Sequence, residues 1–205
     1  MKRVNVSAAF YLSIEFQETG GYAIRTQRAA FSKKSQDSTR MTFLQFTTDS
    51  QFVGNGVIIG VPGADAKLSA NKDAYATQVV TSTAFTTAYA AGLTADQFVT
   101  ALFNSAGVTP TTADKNAAVA AFGAGGTVGR AAALRSVADS SSVRNPDFSP
   151  TLVLMEYHGY LRRNPDQAGY DFWLTKLNSF GGDSIKAEMV RSFIVSTEYR
   201  QRFGP

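Results

Sequence analysis

Apolar residues recur at the spacing of an α-helix along most of this 205-residue chain. The clearest stripe lies near the C-terminus, at steps of three and four residues: Ile185, Met189, Phe193, Ser196, Tyr199 and Phe203. Because such spacing places side chains on one face of a helix, it predicts a single helix of about five turns. A second long helix is predicted over residues 64–90, with Leu68 and Tyr75 on one face. The chain is therefore expected to be all-α, built from stacked helix hairpins.

Glycine and proline indicate where these helices begin and end. Helix ends are predicted at glycines, which tolerate a left-handed backbone, namely Gly20-Gly21, Gly92, Gly107 and Gly181-Gly182. Residues 164–167 (NPDQ) predict a helix start, with Asn164 as the N-cap and Pro165 in the first turn. The β-branched residues near 56–61 are the exception, because they favour a short extended segment between glycines.

One phrase occurs at both ends of the chain. Phe10–Gln17 and Phe193–Arg200 both fit the pattern F-x-x-S-x-E-aromatic-polar. A phrase that recurs in this way indicates an internal repeat. The first copy lies so near Met1 that the chain is expected to begin within a truncated repeat and to belong to a longer protein.

A weaker repeat occupies the middle of the chain. An offset of 55 residues superposes Pro110 on Pro165, so that segment 98–148 is interpreted as a degraded copy of segment 153–203. Repeats of this kind bury an incomplete apolar face against the next unit. The domain prediction is two helical regions that share one continuous core: residues 1–92 and residues 93–205.

The composition describes a folded and lightly charged protein. Only 18% of the residues are charged and the net charge is +4, which permits an anionic partner without requiring one. The absence of cysteine excludes disulfides, zinc–thiolate sites and iron–sulfur clusters. No apolar run approaches the roughly eighteen residues of a membrane span. The basic and apolar N-terminus is interpreted as a helix and not as a signal peptide, because Glu15 interrupts it.

The carboxylates of the repeated phrase are the first candidates for chemistry. If the protein is an enzyme, Glu198 would act with Glu15 or with Asp166, as paired acid and base in glycoside hydrolysis. The alternative is structural: each glutamate, with the serine before it, would tie a helix end to a neighbouring loop through charge-assisted hydrogen bonds. We favour the structural alternative, because a motif that recurs once per unit usually serves the fold.

Three further features have an ordinary interpretation that we favour over a functional one. His158, the only histidine, has no second histidine or cysteine to complete a metal site. The glycine-rich segment 123–130 lacks the lysine of a phosphate-binding loop and is expected to be a helix hairpin. A basic C-terminal third could bind single-stranded nucleic acid but more often forms solvated helix faces: Arg162, Arg163, Lys186, Arg191, Arg200 and Arg202. No metal and no cofactor is expected.

Residues 154–203 resemble the bacterial domain-of-unknown-function family 4214. The resemblance rests on an aromatic helix, a P-D-x-x-G loop, an aromatic-Trp helix and the closing phrase: Leu161, Arg163, Pro165, Asp166, Gly169, Phe172, Trp173, Phe193, Ser196, Glu198 and Tyr199. It implies an all-helical fold in an exported or surface-associated bacterial protein, and it supplies no catalytic residue.

The expected function is that of a non-enzymatic helical module used for attachment, assembly or self-association. Its expected partner is a protein or a glycan at the cell surface, or a second copy of the chain, and its expected location is extracellular or at the cell surface. The first alternative is a carbohydrate-active hydrolase, which requires two carboxylates less than about 10 Å apart, one with a raised pKa. The second alternative, nucleic-acid binding, predicts affinity that falls steeply with salt.

Overall fold

The computed structural model describes residue 13, residues 16–33 and residues 39–204. Within these ranges the chain forms eleven α-helices and no strand, which confirms the all-α prediction. The helices are α1 Tyr22–Phe31, α2 Phe43–Gly54, α3 Ala64–Thr81, α4 Thr83–Ala88, α5 Ala95–Ala106, α6 Thr112–Phe122, α7 Gly126–Asp139, α8 Ser141–Glu156, α9 Gln167–Ser179, α10 Met189–Val195 and α11 Thr197–Phe203. Two π-helical turns extend them: π1, Gln17–Gly21, leads into α1, and π2, Tyr157–Leu161, follows α8.

Two helices form the centre of the fold. Every residue of α1 from Tyr22 to Ala30 is buried, and α1 packs against α5 and α7. The second half of α8 is buried on all sides, and α8 packs against α9 and α1. One hydrophobic core runs through all of these contacts. None of the described helices is both long enough and apolar enough to cross a membrane.

Three pairs of consecutive helices are joined through a single serine, an arrangement we call a serine corner. Ser82 joins α3 to α4, Ser140 joins α7 to α8, and Ser196 joins α10 to α11, each with ψ near 150°. In each corner the serine hydroxyl donates to the carbonyl three residues earlier, at 2.7–2.8 Å. The hydroxyl therefore competes with the helical backbone at the point where the helix stops.

The serine corners show that both long single helices predicted from periodicity are wrong. The helix predicted over 64–90 is divided at Ser82, and the C-terminal stripe is divided at Ser196. The predicted helix also begins before the observed one, because Ile185 lies in a turn that precedes α10 and is half exposed. Serine is not a strong helix breaker in itself, so periodicity alone gives no reason to divide either stripe.

Ser13 and Ser196 accept the same kind of hydrogen bond, from the backbone N–H three residues later in the chain. The backbone N–H of Phe16 donates to Ser13 Oγ at 3.2 Å, and that of Tyr199 donates to Ser196 Oγ at 3.1 Å. The rest of the first phrase, up to Glu15, lies outside the described residues. Ser140 is the structural counterpart of Ser196, so the offset of 55 residues is one residue out of register there. The two domain boundaries remain a prediction.

Two local predictions need correction. The segment near 56–61 is confirmed as non-helical. The prediction that it is extended is wrong, because Gly56 and Gly60 adopt positive φ and the segment forms consecutive hydrogen-bonded turns. Gly20-Gly21 does not end a helix, since π1 continues into α1 without a break. At Gly20 the need is for space, because a Cβ there would lie 2.7 Å from the ring of Phe46 in α2.

The α6–α7 hairpin depends on one close approach. Its connection lies within the glycine-rich segment 123–130, as predicted, and a Cβ on Gly129 would lie 2.0 Å from the carbonyl oxygen of Phe122. We expect Gly129→Ala to lower the free energy of unfolding by about 1–3 kcal/mol, since two packed helices would have to separate. Urea unfolding followed by circular dichroism measures this.

Gly92→Ala is the matched control, because the space around a Cβ there is open to 4 Å. Equal stability of the two variants would contradict the close approach at Gly129.

Candidate functional site

The residues of the predicted C-terminal motif come together where π2, α9, α10 and α11 meet. Trp173 and Tyr157 both pack on the ring of Phe193, with centroids 5.5 and 5.0 Å away. Around them is a small cavity of about 170 Å³, also lined by Arg163, Ser196 and Glu198. We call this group of side chains the motif cluster.

Glu198 is held by arginine within the motif cluster. Arg163 donates from Nε to Oε1 at 2.6 Å and from Nη2 to Oε2 at 2.9 Å, and Arg202 adds a contact at 3.2 Å. The hydrogen bond from Arg163 lowers the pKa of Glu198 below its ordinary value. A bidentate pair of this kind fixes the start of α11 against the loop that follows π2.

Asp166 has a capping role at the other end of the motif cluster. Its Oδ1 accepts a hydrogen bond of 2.8 Å from the backbone N–H of Gly169, and this bond lowers the pKa of Asp166. Asp166 is therefore the N-cap of α9, and the prediction of Asn164 as the N-cap is wrong. Asn164 instead accepts from the backbone N–H of Phe43 at the start of α2, and Pro165 lies before α9.

Gly169 and Tyr199 complete the contacts of the motif cluster. A Cβ on Gly169 would lie 2.4 Å from the hydroxyl of Tyr157, so glycine allows α9 to approach π2. Tyr199 packs its ring edge-on against Tyr160, at 6.2 Å between centroids. Each of these residues thus has a contact that holds the C-terminal helices together.

The two described carboxylates of the hydrolase hypothesis have pKa values shifted in the wrong direction for a general acid. A general acid near neutral pH needs a raised pKa, whereas those of Asp166 and Glu198 are lowered. Both carboxylates also contact the same guanidinium, because Asp166 lies 3.7 Å from Arg163. The third candidate, Glu15, lies outside the described residues. The observed geometry thus favours the structural interpretation of Asp166 and Glu198.

His158 is buried between two backbone carbonyls. Its Nδ1 lies 3.1 Å from the oxygen of Arg163, and its Nε2 lies 3.3 Å from that of Met41. Burial lowers its pKa to about 4, so the ring is neutral at pH 7. Among the described residues no group of three acidic, histidine or cysteine side chains could hold a metal ion.

Much of the basic character of the C-terminal third is balanced locally. Lys186 lies 3.2 Å from Asp183, Arg191 lies 3.1 Å from Glu188, and Arg162 stacks over the ring of Phe203. Arg163 and Arg202 both pair with Glu198. Four of the six predicted basic residues therefore form an ion pair with an acidic residue.

Sequence reasoning did not find a partly buried ion cluster around α1. It is held by ion pairs of 4.0 Å or less between π1, α1, α3, α7 and α8: Glu18, Arg25, Arg28, Lys72, Asp73, Arg135, Asp139, Arg144 and Asp147. Arg28 is buried, donates to the carbonyl of Ala106 at the end of α5 and pairs with the buried Asp147 of α8. The sequence signal that could have indicated this cluster is the pair Arg25 and Arg28, three residues apart in α1, which carries no other charged residue.

Glu156 is a second group that sequence reasoning missed. It lies at the end of α8 with a fully buried side chain, and neither carboxyl oxygen has a hydrogen-bond partner. Burial raises its pKa to about 8. A carboxyl group in this environment is protonated at neutral pH.

These elements define an all-α protein of helix hairpins and serine corners, whose C-terminal part is closed by the motif cluster. That C-terminal part, residues 140–203, matches the model of a family described as a domain of unknown function (DUF4214). The match confirms the resemblance inferred from residues 154–203. No curated protein and no solved structure matches the chain.

Proposed function

We propose that this chain is a non-enzymatic helical module that acts by contact with other macromolecules, in attachment, assembly or self-association. The proposal includes its place in an exported or surface-associated bacterial protein. One observation carries it: the turn segment between α2 and α3, residues 55–63, exposes three aliphatic side chains to solvent. Clustered apolar surface of this kind commonly marks a site of protein contact.

The turn segment is ordered by its own hydrogen bonds. Ile58, Ile59 and Val61 are 65%, 40% and 47% exposed, while Val57 is buried and attaches the segment to the core. The N–H of Val61 donates to the carbonyl of Ile58, and further backbone bonds connect the segment to both helices. A preformed apolar surface loses little conformational entropy when a partner covers it.

The motif cluster supports a structural role over a catalytic one. Asp166 caps α9, and Glu198 binds Arg163, so both described carboxylates serve helix contacts. A second copy of the chain is the first partner to test, because the same purified protein supplies both sides of the contact. A protein or glycan of the cell surface is the other outcome of the experiment.

Self-association through the turn segment is expected to weaken when its apolar side chains become polar. The test compares the wild-type chain with the Ile58→Asn/Val61→Asn double variant by sedimentation equilibrium over a wide concentration range. We expect the wild type to form oligomers and the double variant to remain largely monomeric, since buried amides would lack partners.

Val128→Asn is the control, because Val128 is 81% exposed but lies on α7, outside the turn segment. It should associate as the wild type does. A wild-type chain that stays monomeric at high concentration and binds neither cell envelope nor glycans would contradict the proposal.

A further inference from the structure

A cavity of about 470 Å³ lies between π1, α1 and α8, on the edge of the ion cluster. Two arginines line it, Arg25 from α1 and Arg144 from α8. Asn145 and Phe148 line it as well, and both are exposed to solvent. Gln17 adds a second amide, so the cavity combines two guanidinium groups with two amides and one aromatic ring.

Arg25 is the incompletely bonded member of the ion cluster. Its side chain is 5% exposed, and Nε donates to the carbonyl of Ala138 at 2.9 Å. Its Nη2 is buried without a hydrogen-bond partner, although the same nitrogen lies 3.5 Å from Asp139 Oδ1 in an ion pair. A buried guanidinium normally has all of its donors satisfied. Arg25 therefore has donor capacity that the described residues do not use.

The charges of the ion cluster do not balance. Its ion pairs join five cations, Arg25, Arg28, Lys72, Arg135 and Arg144, to four acids, Glu18, Asp73, Asp139 and Asp147. Asp139 alone is shared by four of these cations. Burial and then repulsion from Arg144 lower the pKa of Arg25. Two neighbouring guanidinium groups on one cavity wall favour the binding of an anion.

The backbone of π1 makes room for the Arg25 guanidinium. A Cβ on Gly21 would lie 3.1 Å from Arg25 Nη1, so any larger residue would press on the charged group. Single π-helical turns inside α-helices occur frequently at functional sites. The two glycines that were predicted to end a helix are thus explained by close approaches, Gly20 to Phe46 and Gly21 to Arg25.

We propose that this cavity binds a carboxylate group, held by Arg144 and Arg25. Arg144 already donates from Nη2 to Glu18 at 2.6 Å, so its remaining guanidinium nitrogens and Nη2 of Arg25 are the donors available to the two oxygens of a carboxylate. Asp147 also lines the wall, but its charge is matched by Arg28 and its Oδ2 accepts from Thr151 at 2.8 Å. The ring of Phe148 can contact carbon atoms next to the carboxylate, which favours an organic acid over inorganic phosphate. This inference does not depend on the proposed function.

The test titrates the full chain with sodium glutarate, with a short peptide containing one glutamate, and with sodium phosphate, against sodium chloride at equal ionic strength. Thermal unfolding and calorimetry measure binding, because a ligand that binds only the folded state raises the unfolding midpoint. We expect saturable binding of glutarate, of the peptide or of both, and the comparison identifies the source of the carboxylate. Arg144→Gln should weaken that binding by about tenfold or more.

Arg135→Gln is the matched control. It removes one guanidinium from the same ion cluster, where Arg135 contacts Asp73 and Asp139, but Arg135 does not line this cavity. Its affinity for the carboxylate should change by less than about threefold. Asn145→Leu, at an exposed position on the cavity wall, gives a second variant if Arg144→Gln is poorly folded, and it should also weaken binding.

Three results would overturn the inference. They are the absence of saturable carboxylate binding, binding of phosphate alone, and an equal loss of affinity in Arg144→Gln and Arg135→Gln.

Discussion

Replacing Asp147 by alanine is expected to lower the free energy of unfolding by about 3–5 kcal/mol. The substitution removes the carboxylate that pairs with Arg28 and leaves a buried guanidinium without its counter-ion. Arg28 would keep its hydrogen bond to the carbonyl of Ala106, so the loss arises from the uncompensated charge and not from a free side chain. Urea unfolding at pH 7, followed by circular dichroism, measures the change.

A double variant separates charge from packing at this site. In Arg28→Met/Asp147→Leu both charges are replaced by apolar side chains, which often restores much of the stability lost by breaking a buried pair. Asp171→Ala is the control, because Asp171 is exposed on α9 and should change stability little. If Asp147→Ala were as stable as Asp171→Ala, the buried pair would have no importance for stability.

Replacing Glu156 by glutamine is expected to stabilise the protein near neutral pH and to remove one component of its pH dependence. Burial raises the folded-state pKa of Glu156 from an ordinary 4.5 to about 8. Between these values the folded state keeps a proton that the unfolded state releases, so the free energy of unfolding falls as pH rises. The slope is about 1.4 kcal/mol per pH unit, which gives a cost of about 3 kcal/mol at pH 7.

The gain from Glu156→Gln should therefore be largest near pH 8 and should vanish below pH 4.5, where the carboxyl group is protonated in both states. Urea unfolding of both proteins across this range measures it. Glu188→Gln is the control, because Glu188 is 59% exposed and its ion pair among the described residues is with Arg191. Its stability should follow that of the wild type with pH. If the curve for Glu156→Gln also ran parallel to that of the wild type, the carboxyl would not be protonated in the fold.

The all-α class could be predicted from sequence because helical periodicity is a local property. The structural interpretation of Asp166 and Glu198 was also accessible, since capping and helix-start contacts act over a few residues or recur with the repeat. The serine corners could not be predicted from sequence, because Ser82 and Ser196 lie within continuous helical stripes of apolar residues. Each stripe is divided only by the extended backbone conformation of its serine.

The buried charges could not be placed from sequence for a different reason. Arg28 meets Asp147 across more than a hundred residues, and Arg25 meets the carbonyl of Ala138 across a similar distance. No local pattern links such partners, so α1 was not recognised as a central helix. Glu156 is harder still, because nothing in the sequence indicates that a glutamate between Met155 and Tyr157 lacks a partner.

The serine corners also determine where the length of this chain can change. One extended residue joins two helices at each corner, so a single inserted residue would rotate the following helix by about 100° and turn its apolar side away from the core. The turn segment carries no such constraint, because loops absorb added residues at small entropic cost. Related chains should therefore differ by insertions and deletions in the turn segment and keep the two helices that flank each serine corner at constant length.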